Sequence, residues 1–201
     1  MKMNLPNKLT VLRLIMVPII MVVMLLPLNT ILWGILSAII FGAASLTDML
    51  DGKIARRDNL ITDFGKFLDP LADKFMVIGA MMMLIFRFDG ILQICLTIAA
   101  TIVVFRELAV TSIRLVASGS GVVVAANMLG KIKTVSQIVF ILCAMLEPVI
   151  FEVASLISGM DLVKYDYHVL TYASMAVSTF FAVLSGVNYL KTYWKFLDPE
   201  K

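Results

Sequence analysis

One histidine and two cysteines are all that 201 residues offer to a soft or borderline metal. Neither cysteine has a CxxC partner or a histidine cluster nearby, which excludes a zinc site of ordinary spacing. Cys95 and Cys143 instead sit in apolar runs and read as buried small hydrophobes. Charge is scarce as well: 15% of residues are charged against 61% hydrophobic, and the mean hydropathy is +0.98. A soluble domain of this length needs far more polar surface, so the composition implies a polytopic membrane protein. The net charge of +3 is modest, and no nucleic-acid partner is expected. The chain shows no internal repeat, low-complexity tract or soluble domain, and residues 1–201 read as one membrane domain. The first apolar run is broken by Pro18 and Pro27 and lacks a small-x-small cleavage site, so it is expected to stay as a helix.

Apolar stretches near the spanning length of about 20 residues fall at residues 11–28, 31–46, 71–86, 91–109, 135–151 and 168–190. The expected fold is therefore all-α, with six transmembrane helices. Residues 4–13, which carry Lys8 and Arg13 beside Leu5, Leu9 and Leu12, read as a short N-terminal interfacial helix. Six spans put both termini on one side. Of the 17 lysines and arginines, all but Arg87 and Lys164 fall on that side, so it is expected to be cytoplasmic.

On the same side lies the most informative segment of the chain. It reads Asp48-x-x-Asp51-Gly52-x-x-Ala55-Arg56, then eight residues, then Gly65-x-x-x-Asp69-x-x-x-Asp73. The i,i+3 and i,i+4 spacings project each aspartate pair from one face of a helix end. Four carboxylates at membrane-helix ends repel one another and are costly to desolvate unless cations neutralise them. With no thiolate and no histidine, the set is all oxygen, which favours Mg²⁺ or Mn²⁺ over Zn²⁺. Four acidic ligands suit two ions about 3.5–4 Å apart, clamping a phosphoryl group. Gly52 leaves room for a ligand to approach, and Arg56 suits a phosphate or the orientation of an aspartate. Gly65 reads equally as a plain turn residue. Asp58 and Asp63 fall outside the spacing and read as solvated charge. Pro70 suits a first helical turn.

This pattern resembles, at every fixed position, the signature of the CDP-alcohol phosphotransferases, integral membrane enzymes of phospholipid synthesis. The resemblance implies that an alcohol hydroxyl attacks the β-phosphorus of a CDP-linked lipid and that CMP departs. It further implies that Asp48, Asp51 and Asp69 are metal ligands, and that Asp73 lies at the metal and acts as general base. A homodimer is common in the family.

Two further stretches, Arg106-Glu107-x-x-Val110-Thr111-x-x-Arg114 and Gly130-Lys131-x-Lys133-Thr134-x-x-Gln137, read in two ways. One is an ion pair plus inner-side anchors. The other is a pocket for a second anion, with Arg106, Arg114, Lys131 and Lys133 facing a phosphate monoester. Lys131 and Lys133 alternate along a helix, so only one can face a given point. The stretches resemble the glycerol-3-phosphate-accepting bacterial branch of the family, which implies CDP-diacylglycerol and glycerol 3-phosphate as substrates and adds Gln137 to the acceptor site. The segment Pro6-Asn7-Lys8-Leu9-Thr10-Val11-Leu12-Arg13 is similar to that branch too. There it borders the nucleotide, so the CDP-lipid is expected against Asn7, Thr10, Arg13, Gly52, Ala55, Arg56 and Gly65. Helix capping is the competing reading for Asn7 and Thr10.

Other readings differ in the acceptor (inositol phosphate, serine or phosphatidylglycerol) or in the class. An intramembrane prenyltransferase also uses paired aspartates, but Gly52, Ala55 and Arg56 have no counterpart there. A divalent-cation transporter would hold its ionisable residues near the midplane, often in inverted repeats. The 14 methionines read as lipid-facing or core filler. His168 is expected on the outer side, away from the site, and Trp33, Tyr193 and Trp194 as interfacial anchors. The whole pattern points to a multi-pass bacterial membrane enzyme working at the cytoplasmic face.

Overall fold

The structure is a computed structural model that describes residues 3–57, 62–119, 127–159 and 167–194, apart from the side chains at 51, 53, 55, 56 and 66. Six helices make up the described fold: α1 (Leu5–Leu25), α2 (Thr30–Arg57), α3 (Asp63–Arg87), α4 (Gly90–Gly119), α5 (Met128–Ser158) and α6 (Val169–Tyr193). No strand occurs among the described residues. Five helices, all but α3, are long and apolar enough to cross a membrane. The expected third span, residues 71–86, is only the apolar part of α3. Asp69, Asp73 and Lys74 near its start, and Arg87 at its end, load every window of spanning length with charge.

Short polar side chains fix where the helices begin. Asn4 caps α1 by accepting from the Asn7 backbone N–H at 3.1 Å, and Pro6 sits in the first turn, where its missing N–H costs nothing. Asn29 accepts from the Leu32 N–H at 2.8 Å, Thr62 from the Gly65 N–H at 3.0 Å, and Asn127 from the Gly130 N–H at 2.8 Å. The Thr62 cap starts α3 well before Pro70, so Pro70 lies inside the helix rather than in its first turn. The α5 helix ends on Gly159 at φ +67°, a left-handed turn that glycine accepts without strain.

Among the described residues no separate interfacial helix precedes α1, which runs unbroken from Leu5. Its face at 7, 10, 13, 17, 20 and 24 is buried throughout, polar for the first two turns and apolar after. Leu5, Leu12, Ile15 and Ile19 are exposed. The amphipathic pattern of residues 4–13 therefore records a polar lining inside the bundle, not a headgroup-facing surface.

Packing is of the membrane type. Helix α1 packs on α2 and α3, α5 on α2, α3 and α6, and α4 on α3 and α6, while α2 and α3 touch each other little. Small residues line the contacts: Ser37, Ala38 and Ala44 on α2, Ala72 and Ala80 on α3, Ala144 on α5 and Ala182 on α6 are all buried. Such residues let helices approach closely where no hydrophobic effect drives them together. Phe41, Leu84, Leu96, Phe140 and Met145 fill the centre.

Trp33 departs from its reading as an interfacial anchor. It is buried, with the Arg87 guanidinium 4.9 Å from its ring centroid, and Arg87 also donates to the Leu28 carbonyl at 3.1 Å. Trp194 is exposed. Cys95 and Cys143 are half-buried. Asp58 lies outside the described residues.

Candidate active site

The start of α1, the end of α2 and the start of α3 bring three of the four spaced aspartates together around α1. Arg13 is fully buried, and its Nη1 lies 2.6 Å from Asp48 Oδ1 and 2.7 Å from Asp73 Oδ1. Two carboxylates that share one guanidinium nitrogen stand side by side. They remain 34% and 49% exposed, so one side of each is open. One turn earlier, Thr10 Oγ1 donates to Asp69 Oδ1 at 2.7 Å and is also 3.1 Å from the Pro6 carbonyl. A turn before that, Asn7 Nδ2 donates to Thr62 Oγ1 at 3.0 Å. Asn7, Thr10 and Arg13 thus form a ladder at helical spacing that faces the aspartates. Neither Asn7 nor Thr10 is the cap of α1; Asn4 is.

Gly65 lies at the foot of this ladder. A Cβ there would come 2.9 Å from Asn7 Oδ1, 3.3 Å from Thr62 Oγ1 and 3.9 Å from Asp69 Oδ2. The turn reading therefore gives way to a close-approach reading: Gly65 lets α3 reach α1 while keeping Asn7 and Asp69 in place. Gly52 is half-buried on α2. The side chains of Asp51, Ala55 and Arg56 lie outside the described residues.

The donor set suits a hard divalent ion. Asp48, Asp69 and Asp73 supply only carboxylate oxygens, and Arg13 already provides positive charge between two of them. No three acidic, histidine or cysteine groups meet at one ligating point among the described residues, a set that lacks the Asp51 side chain. Asp48, Asp69 and Asp73 fit such an ion by chemistry, with Arg13 keeping Asp48 and Asp73 adjacent and Thr10 holding Asp69.

Beside the aspartates, the later half of α4 and the start of α5 build a buried basic cluster. Arg106 Nη1 is 2.9 Å from Glu107 Oε1, and Lys133 Nζ donates to that same oxygen. Arg106, Glu107 and Lys133 are all buried, and the triad carries one net positive charge. Breaking such a buried network by removing one member typically costs about 3–5 kcal/mol. The ion pair of Arg106 and Glu107 therefore exists, and it sits within an excess of cations. Lys133 is buried and Lys131 exposed, which settles which of the alternating lysines faces inward. Gln137 lies one turn beyond Lys133, completely buried, with no hydrogen-bond partner for its amide among the described residues. Arg114 is exposed, and its Nη2 donates to Tyr189 Oη at 2.7 Å.

Several members of this neighbourhood have no signal in the sequence motifs. Lys74 Nζ donates to Thr111 Oγ1, tying the residue next to Asp73 to α4. Thr62, Ser185 and Tyr189 enter only through tertiary contact. His168 lies at the opposite end, where it lines a cavity of about 380 Å³ with Trp33, Arg87 and Glu152.

Carboxylates gathered at a helix end and flanked by a buried basic cluster suit phosphoester chemistry in a bundle of apolar helices. The sequence profile of the CDP-alcohol phosphatidyltransferases matches residues 3–184, and the chain belongs to that family. It is 41% identical, over 98% of both chains, to the CDP-diacylglycerol–glycerol-3-phosphate 3-phosphatidyltransferase of Bacillus subtilis. Proteins of the same name are similar to it at 32% identity over 97% of both chains in Wigglesworthia glossinidia brevipalpis. In Rickettsia typhi the identity is 33%, over 94% of this chain and 96% of the relative. Membership of this family sets aside the prenyltransferase and transporter readings.

Proposed function

We propose that this chain transfers the phosphatidyl group of CDP-diacylglycerol to sn-glycerol 3-phosphate, giving phosphatidylglycerophosphate and CMP. The reaction takes place at the cytoplasmic face of a bacterial cell membrane, in a bundle of six helices that works as a homodimer. The observation that carries the reading is the adjacency of two unlike centres. The aspartates held by Arg13 and Thr10 stand next to the Arg106–Glu107–Lys133 triad, linked through Lys74 and Thr111. A transfer between two phosphate-bearing substrates needs both.

Asp48, Asp51, Asp69 and Asp73 would hold Mg²⁺ or Mn²⁺, two ions in all, and such ions would supply charge neutralisation for the pyrophosphate and the CMP leaving group. Asn7, Thr10, Arg13, Gly52, Ala55, Arg56 and Gly65 would bind the CDP-lipid. Arg13 keeps two of the carboxylates aligned. The acceptor phosphate binds Arg114, Lys133 and Arg106 with Gln137 beneath, and Lys131 attracts it from the exposed surface. Asp73 takes the proton of the acceptor hydroxyl as its oxygen bonds the β-phosphorus and the bond to CMP breaks.

Purified protein given both substrates and Mg²⁺ should release CMP, and a chelator should stop it. Asp73→Asn should abolish release; release that persists in that variant removes Asp73 from the role of base. A competition series with inositol phosphate, serine and phosphatidylglycerol tests the acceptor.

A further inference from the structure

We propose that Ser185 and Tyr189 of α6 are positioning residues that make the basic cluster selective for a phosphorylated acceptor. The inference rests on reading that cluster as the acceptor site. Arg106 Nε donates to Ser185 Oγ at 3.1 Å, and Nη2 of the same guanidinium donates to the same oxygen. Two bonds from one forked, planar group fix its orientation rather than only its position.

Tyr189 acts on both arginines at once. Its ring centroid lies 5.8 Å from Arg106 Cζ and 5.2 Å from Arg114 Cζ, within the range of about 6 Å for attraction between a cation and an aromatic face. Its hydroxyl accepts from Arg114 at 2.7 Å. Gly186 completes the device, since a Cβ there would stand 3.1 Å from Arg106 Cγ, so α6 approaches Arg106 through its smallest residue.

Like charges repel, and two guanidiniums left to themselves would swing apart. A shared ring and two hydroxyls hold Arg106 and Arg114 as a pair before any ligand arrives. Such a pair is pre-organised for a phosphate dianion and gives a neutral polyol nothing equivalent. Ser185 and Tyr189 are themselves buried, so their effect passes through the arginines.

The test is steady-state kinetics of CMP release in mixed micelles, varying CDP-diacylglycerol, glycerol 3-phosphate and glycerol separately. Ser185→Ala and Tyr189→Leu should each raise the KM for glycerol 3-phosphate about tenfold, the scale of a lost hydrogen bond to a charged group. The preference for glycerol 3-phosphate over glycerol should fall by a similar factor, with the KM for CDP-diacylglycerol unchanged. Tyr189→Phe keeps the ring and should lose less, and Ser185→Thr keeps the hydroxyl and should preserve the preference. If both KM values rise together, if the preference is unaltered, or if Ser185→Thr matches Ser185→Ala, the inference is overturned. Wild-type protein that releases no CMP with glycerol 3-phosphate would overturn the reaction itself, and this inference with it.

Discussion

Replacing Arg13 with glutamine removes a cation that bridges Asp48 and Asp73 while leaving much of the side-chain volume. Its Nη1 makes contacts of 2.6 and 2.7 Å from a site with no exposure. Hydrogen bonds to charged groups contribute about 1.5–3 kcal/mol each. Both carboxylates are more than a third or close to a third open to water, so screening holds the sum near the lower end, about 3 kcal/mol. For a chain of this size that corresponds to a fall of about 6–12 °C in the thermal midpoint. The same carboxylates are the ones that would bind a divalent cation, which gives the experiment its second arm. Arg13→Gln should show its full loss of stability in a chelator and recover part of it in Mg²⁺, because a bound cation takes over the neutralisation. The stabilisation by Mg²⁺ should therefore be larger in the variant than in the wild type. Thermal unfolding in detergent, with and without Mg²⁺, measures both quantities. CMP release should fall about 10–100-fold, the scale for losing a group that orients ligands. An unchanged midpoint in chelator, or an equal Mg²⁺ shift in both proteins, would refute the reasoning.

Two other substitutions separate the site from its frame. Gly65→Ala places a methyl group 2.9 Å from Asn7 Oδ1, so Asn7 must move; the KM for CDP-diacylglycerol should rise about tenfold with the acceptor KM unchanged, and equal KM values for the CDP-lipid would contradict it. Glu147→Ala acts at the far end, where the buried carboxylate accepts the Leu170 and Thr171 N–H groups at 2.8 and 2.7 Å and so caps α6 from α5. It should lower stability by about 2–4 kcal/mol in thermal unfolding and leave both KM values alone.

Glu147 also shows where reading the chain stops. In the sequence it is only an acidic residue within the apolar run 135–151; the fold alone reveals that it supplies the cap that His168, the residue before α6, does not provide. Arg13 is similar. Within the motif it resembles a nucleotide-side residue, and its closeness to Asp48 and Asp73 depends on α1 lying against both α2 and α3.

What the sequence determined by itself was local or periodic: the apolar runs, the inner bias of lysine and arginine, and an aspartate pattern whose i,i+3 and i,i+4 spacings fix one helical face each. Tertiary structure alone decided which helix turns toward which. It chose Lys133 over Lys131, turned the polar face of residues 4–13 inward, and brought Ser185 and Tyr189 of α6 to arginines on α4. The physical reason is that spacing along a helix specifies a direction relative to its own axis, whereas a partner lying some 75 or more residues away is specified only once the axes themselves are packed.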